Sequence, residues 1–343
     1  MEPLTHLLTG ACLSRAGLNQ KTALATTMLV IAAELPDVDI FYNLAGPVTG
    51  FAHHRGFTHS LLGAPVDAVL ALGLVYGIFR LRAALGRPPA RPPRWGVLFL
   101  YGWLSALVHL LLDFTTSYGV RPFIPFSYRW FSWDIVYIVE PVILVLLLMG
   151  LVVPGLFSLI QEEIGARRKA TRGRGGAIFA LAAMVLLWGV RDYQHRRAIA
   201  ALDSRIYHDA EPLRVGAFPY PVDPFRWHGV VETDAFYETM RVNSAVPDVE
   251  ADGRTRLRYK PAESPALDAA RNSSLGRVYL DWARFPVLEV EPLDPRQGGY
   301  LVRFLDLRFI YNENDARPLA AAVELDGNLG VVEERFGRRV QRR

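Results

Sequence analysis

Three of the chain's eight histidines fall within His53-His54-Arg55-Gly56-Phe57-Thr58-His59-Ser60, just ahead of a long apolar run. Imidazole is the commonest metal ligand near neutral pH. Arg55 and Gly56 predict a turn and Thr58 an N-cap, so the histidines sit at a helix mouth, where ligands are pre-positioned. His109 and Asp113 are four residues apart in another apolar segment. On a helix they share a face and reach one ion. His6 lies near the start of a short apolar stretch, and Glu34, Asp37 and Asp39 close a second one. Taken singly, each of these is most simply a packing residue or a solvated helix end. Together they are five histidines and four acids drawn from four separate elements, and burying so many ionisable groups near lipid is costly unless they are paired or bind a metal.

The donor types select the metal. Imidazole and carboxylate without thiolate suit zinc, manganese or iron. His6, Asp37, Asp39, His54, His59, His109 and Asp113 are the candidate ligands. That is more than one ion needs, which points to two neighbouring ions of the kind that activate water and clamp a phosphoester displacement. Glu34 is the candidate general base, or else the support of a ligating histidine. Arg55 is placed to neutralise a phosphate; its alternative is a snorkelling arginine at headgroup depth.

The elements that must position these residues are mostly apolar. Leu4 to Ala16 and Thr22 to Ala33 are short helices, below the roughly 20 residues that span a bilayer, and Pro36 stops the second. Four longer runs follow: Leu61 to Phe79, Trp95 to Leu112, Ile135 to about Ile160, and Gly176 to Val190. Arg80 to Arg94 carries five arginines and no acid, and Arg167 to Arg174 carries five basic residues. Both loops are expected to be cytoplasmic. The candidate ligands, Asp113 and everything after Val190 are then extracytoplasmic, although Arg191, Arg196 and Arg197 weigh against this. Asp67 and Glu140, inside apolar runs, are expected to make helix–helix hydrogen bonds. Trp130, Trp133 and Tyr137 form an aromatic belt or border a substrate entry.

From about Ala198 the pattern becomes that of a soluble domain. Val230-Val231, Phe236 to Val242, Arg254 to Tyr259, Gly276 to Trp282, Leu288 to Val290, Tyr300 to Tyr311 and Ala320 to Leu325 read as strands. Asp326-Gly327-Asn328 reads as a hairpin turn. The expected architecture is a membrane α-helical bundle of two short helices and four spans over residues 1–194. A mainly antiparallel β extracytoplasmic domain follows over 198–343. His195, His208 and His228 lie outside the cluster. Cys12 is the one cysteine, so an internal disulfide and a thiolate zinc cluster are excluded. The net charge of +4 is explained by the membrane loops, not by nucleic acid. The N-terminus lacks the basic stretch of a cleavable signal peptide.

An N-terminal histidine, Glu34-Leu35-Pro36-Asp37-Val38-Asp39, His54-Arg55-Gly56-Phe57-Thr58-His59-Ser60 and the His109/Asp113 pair together resemble the YdjM/YbcI family. These are bacterial inner-membrane proteins described as metal-dependent hydrolases. The resemblance covers roughly residues 1 to 160. The family is distantly similar to the zinc phospholipase C and zinc nuclease superfamily, which implies zinc and a phosphoester substrate. Only one His-x-x-x-acid motif stands here, short of what a three-zinc site requires. The resulting expectation is a multi-pass inner-membrane metallohydrolase acting on a phosphoester, a lipid headgroup among the candidates. The rival readings are a non-catalytic membrane protein with a structural metal and a β binding module, and a transporter. The transporter lacks polar residues along the inner halves of its spans.

Overall fold

The computed structural model describes residues 1–163, 173–246, 248–249, 255–293, 298–312 and 319–337. The chain forms two compact units. The first comprises Met1–Asp39 and Arg55–Asp192, the second Ile40–His54 and Tyr193–Arg343. The sequence places one boundary near 194–198, whereas the units meet in sequence at three points.

The first unit is helical. Helix α1 (Pro3–Arg15) begins on a proline, whose fixed φ and missing N–H suit the first turn. It packs on α2 (Ala25–Glu34), and the approach is close. A Cβ on Gly10 would lie 2.7 Å from the Leu29 carbonyl oxygen, so only glycine fits. Pro36 ends α2, and the chain continues in 3₁₀ turns over Leu35–Ala45. Helix α3 (Pro47–His53) belongs to the second unit. Helices α4 (Gly63–Ala84), α5 (Trp95–Phe114), α6 (Pro141–Glu163) and α7 (Arg174–Asp203) follow.

Three of these, α4, α5 and α7, are long and apolar enough to cross a membrane; the described apolar part of α6, Pro141–Pro154, is shorter. Four spans are expected; among the described residues three candidates stand. Their outer faces expose Leu70 and Leu74, Leu100 and Leu104, and Phe179 and Leu186. Repeated apolar exposure of this kind marks a face that meets something other than water. Inside, Met28, Ala32, Ala71, Val75 and Leu98 join α2, α4 and α5 in one core. A second core joins α1, α6 and α7 through Cys12, Ile143, Leu147, Ala177 and Met184. The basic stretch Arg167 to Arg174 lies, up to residue 172, outside the described residues.

Two expected helix–helix roles can be followed. Glu140, at the head of α6, takes the Arg191 guanidinium of α7 at 2.9 Å, with both side chains fully buried. Asp67 of α4 is buried, with one carboxylate oxygen lacking a partner. The aromatic residues near 130 are engaged within the fold. Trp133 donates to Asp192 at 2.7 Å, and the Arg121 guanidinium stacks 4.4 Å from the centre of the Trp130 ring.

The second unit holds two antiparallel sheets. Strands β1 (Arg214–Pro219), β2 (Arg226–Glu232), β3 (Phe236–Asn243) and β4 (Asp248–Val249) pair in that order, and β5 (Arg256–Tyr259) also pairs with β3. Strands β6 (Pro286–Pro292), β7 (Tyr300–Asp306), β8 (Ala321–Leu325) and β9 (Val331–Phe336) form a meander. The first sheet is buried on both faces. Trp227, Val231 and Val242 pack with Ala198 and Leu202 from the end of α7. Phe218, Val230 and Tyr237 pack with Phe285, Val287 and Leu305. The turn at Asp326 joins β8 to β9, its Oδ1 accepting the N–H groups of Asn328 and Gly330, each at 2.8 Å.

The sequence reading misses α8 (Pro265–Arg271) and misassigns α9 (Ser274–Trp282) as a strand. Val278, Leu280 and Trp282 alternate, which imitates a strand. Capping decides otherwise: Ser273 Oγ accepts the Gly276 N–H at 3.0 Å, and Leu275, Tyr279 and Trp282 form one buried helical face. Strands β1, β4 and β9 are also absent from the sequence reading. Helix α3 docks within this unit through Phe51, which stacks on Phe336 at 4.1 Å and meets Trp282 edge-on at 5.3 Å.

Candidate metal centre

The expected loop-to-helix transition at Thr58 is built differently. Arg55, not Gly56, takes the left-handed backbone, with φ of 51°. Phe57–His59 then form a single 3₁₀ turn, and α4 starts only at Gly63, whose N–H donates to Ser60 Oγ at 2.9 Å. The turn points His59 inward, where its side chain is fully buried.

Helix α5 brings its ligands in by pairing with α2. Ser105 Oγ donates to the Leu29 carbonyl at 2.6 Å, and one turn further His109 Nδ1 donates to the Ala33 carbonyl at 2.7 Å. Ala33 lies in the last turn of α2, where backbone carbonyls have no intrahelical partner. This bond fixes the tautomer of His109 and leaves Nε2 as a lone pair. His59 is set in the same way, with Nδ1 lying 3.2 Å from the Asp39 carboxylate.

Four donors converge. His59 Nε2 is 3.1 Å from His109 Nε2, 3.3 Å from Asp37 Oδ1 and 3.3 Å from Asp113 Oδ2. His109 Nε2 is 3.7 Å from Asp37 Oδ1 and 3.5 Å from Asp113 Oδ2. A tetrahedral ion with ligands at about 2.1 Å has ligand–ligand edges of roughly 3.4 Å. Asp113 Oδ2 is buried without a hydrogen-bond partner, as an acceptor left for a cation would be. Two imidazole lone pairs and two carboxylate oxygens facing one another repel unless positive charge lies between them. The donor set therefore fits a divalent metal. Access is one-sided: the Asp37 side chain is 28% exposed, against at most 1% for the other three.

Charge around the centre is balanced by Arg55. Its Nη2 donates to Asp113 Oδ1 at 2.8 Å and its Nη1 to the Gly119 carbonyl at 2.9 Å, while its guanidinium lies 4.7 Å from the centre of the Tyr118 ring. Its backbone N–H donates to Asp39 at 2.6 Å. Arg55 is thus buried, not snorkelling at a surface. The Met1 amine also pairs with Asp113 Oδ1. Burial first, then the charge of Asp37, push the Glu34 carboxyl up to about 7.

Of the seven candidate ligands, the structure brings Asp37, His59, His109 and Asp113 together. His6 stands at the edge of this set. Its ring stacks on His109 with centroids 3.7 Å apart, Nε2 is 3.5 Å from Asp113 Oδ1, and both nitrogens are buried without hydrogen-bond partners. Asp39 holds His59 from behind. His54 is not brought in: it follows the last turn of α3 and belongs to the second unit. Among the described residues a single group of this kind forms, enough for one ion where two were expected. The sequence reading passed over the Ala33 carbonyl and the loop residues Tyr118 and Gly119. Backbone carbonyls leave no trace in residue types, so no signal was available for Ala33 or Gly119.

Buried histidine and aspartate at the ends of apolar helices, on a scaffold with three membrane-length helices, define a helical membrane protein with an internal group of side chains that could hold a metal ion. Comparison with known proteins gives the particular family: the chain belongs to the YdjM inner membrane protein family, which matches residues 1–198. Residues 265–343 match the YfhP C-terminal alpha/beta plait domain, in keeping with two helices packed beside the second sheet. The uncharacterized protein YfhP of Bacillus subtilis (strain 168) is 23% identical over 346 residues, covering 96% of this chain and 93% of that protein. No solved structure matches.

Proposed function

We propose that this chain is an integral membrane metal-dependent hydrolase acting on a phosphoester, with a lipid headgroup as substrate, at the extracytoplasmic face. The observation that carries the reading is the convergence of His59 Nε2, His109 Nε2 and the Asp37 and Asp113 carboxylates, with hydrogen bonds that turn both imidazole lone pairs inward. These four residues would hold the metal, for which zinc suits the nitrogen and oxygen donors. When bound, such an ion acts as a Lewis acid toward a phosphoryl oxygen and makes water more acidic.

The rest is assigned to the chain's own groups. Asp39 keeps His59 in the right tautomer. Arg55 offsets the charge of Asp113 and holds it in place. Glu34, one helical turn before Asp37 and shifted to about 7, suits a general base that works near neutral pH. The orientation rests on the five arginines between Arg80 and Arg94. Arg191, which weighed against it, is neutralised by Glu140 at 2.9 Å.

One observation favours a second reading. Four protein donors already complete a tetrahedron, as in structural sites, whereas catalytic sites keep a position open. Metal analysis of the purified protein, alongside a phosphodiesterase screen, decides between them: bound metal with turnover supports the enzyme, bound metal without turnover the structural role. Reporter fusions at Pro89 and Pro261 should report opposite sides of the membrane, and the same side for both would overturn the orientation.

A further inference from the structure

An apolar groove of about 380 Å³ opens on the end of α5 that carries the metal centre, within the range of small-molecule pockets, about 300–1,000 Å³. Leu107, Leu111 and Phe114 of α5 form one wall, and Val120, Phe123 and Phe131 of the following loop form the other. Every residue lining it is apolar. Its axis can be read from helix periodicity. Spacings of four and three put Leu107, Leu111 and Phe114 on one stripe, and Phe114 lies about 100° around the helix from Asp113. The groove therefore runs beside the ligand face without sharing it.

Groove and centre are built on one frame. The carbonyl of Gly119, next to the wall residue Val120, accepts Arg55 Nη1 at 2.9 Å, while Arg55 Nη2 holds Asp113 at 2.8 Å. Leu61, two residues after His59, donates its N–H to the Pro122 carbonyl at 2.9 Å. What fills the groove follows from its continuation. The same stripe runs back along α5 through Leu104 and Leu100, both exposed, on a helix long and apolar enough to cross a membrane. The groove is a widening of the surface that this inner-membrane protein turns to hydrocarbon. Leu111 is 42% exposed and Phe123 47% exposed, so a chain can enter from the bilayer.

The geometry points to an acyl-chain subsite: one fatty acyl chain of a bilayer lipid lies between Leu111 and Phe123, with its headgroup phosphoester toward Asp37 and Arg55. The direction of the headgroup rests on the lipid phosphoesterase reading; occupancy of the groove does not. The site then selects phosphoesters carrying at least one long acyl chain over water-soluble ones.

The test uses the full chain in vesicles of phosphatidylethanolamine and phosphatidylglycerol, doped with phosphatidylglycerol bearing a diazirine on its acyl chain. After illumination, mass spectrometry locates the label. Peptides covering 107–114 and 120–131 should carry several-fold more label than the equally exposed face of α4 at Val69 and Leu70. Leu111→Trp should lower that label several-fold, and Val69→Trp should not. Should Leu111→Trp fail to fold, Phe123→Arg places a charge in the groove from the loop side and must lower the label in the same way. Even labelling of both faces, or label insensitive to these variants, means ordinary annular lipid and overturns the subsite. The readout needs no turnover. Groove-focused label without phosphoester cleavage keeps the subsite and retires the hydrolase, whereas lipid cleavage with even labelling does the reverse.

Discussion

Each unit buries a cluster of charge, and the two clusters are finished differently. In the second unit Arg308 donates to Asp306 through Nε at 2.9 Å and to the Trp282 carbonyl through Nη2 at 3.0 Å. Asp306 also accepts the N–H groups of Arg284 and Arg308, at 2.8 and 3.0 Å, and the guanidinium lies 4.5 Å from the centre of the Trp282 ring. Donors and acceptors close on one another. In the first unit, Asp37, His59, His109 and Asp113 present lone pairs to a common point, and Asp113 Oδ2 and both His6 nitrogens are left over. Burial is similar except at Asp37, which is 28% exposed. What distinguishes the two is the convergence of several acceptors on one point without donors between them, an arrangement that positive charge would stabilise.

That contrast can be broken at four places. The largest effect is expected from His109→Ala, which removes an inward lone pair: bound metal, measured by elemental analysis, should fall to background together with any hydrolysis. Retention of metal would show that the convergence is not a metal site. Next is Glu34→Gln. If Glu34 is the base, turnover should drop by about 10²–10⁴-fold with metal content held. The pH profile adds a sign. A base works deprotonated, so wild-type turnover should rise through pH of about 7 and level off above it, and the variant should lose that limb. Metal loss in step with activity would instead make Glu34 a ligand or its support. Asp39→Asn loosens the hold on His59 Nδ1 and should weaken metal binding by about 10–100-fold in a chelator competition. The smallest effect on metal is expected from Arg308→Ala. It strands Asp306 and should cost the second unit about 3–5 kcal/mol in denaturant unfolding, with metal content unchanged. A change in metal there would mean that the two clusters are not independent.

Much of the centre was legible because charge inside apolar sequence is conspicuous. His109 and Asp113 at a spacing of four, with Asp37 next to a helix-stopping proline, required only periodicity. His53, His54 and His59 carried equal chemistry, and the choice among them lay in backbone geometry: the left-handed turn at Arg55, φ of 51°, aims His59 inward and leaves His54 on the other side of the unit boundary. Asp39 looked like a ligand because a carboxylate that orients an imidazole and one that binds a metal are the same residue type. In the second unit, six strands were placed from alternation and turn residues, yet the same rule made α9 a strand. There the signals were present and outweighed: Ser273 ahead of Gly276, and Leu275, Tyr279 and Trp282 at helical spacing. Ser264 followed by Pro265 announced α8 as well.

The docking of α3 has a consequence for synthesis. Phe51 is made early, but the rings it packs against, Trp282 and Phe336, are among the last parts of the chain. At about 5–20 residues per second the ribosome needs roughly 15–60 s to bridge that interval. During this time the segment between Asp39 and Arg55 is tethered at both ends to a helical unit whose own partners are already available, while its apolar ring waits. A nascent chain released before residue 336 would carry Asp37, His59, His109 and Asp113 complete in sequence, and yet leave the loop that joins two of them without its anchor.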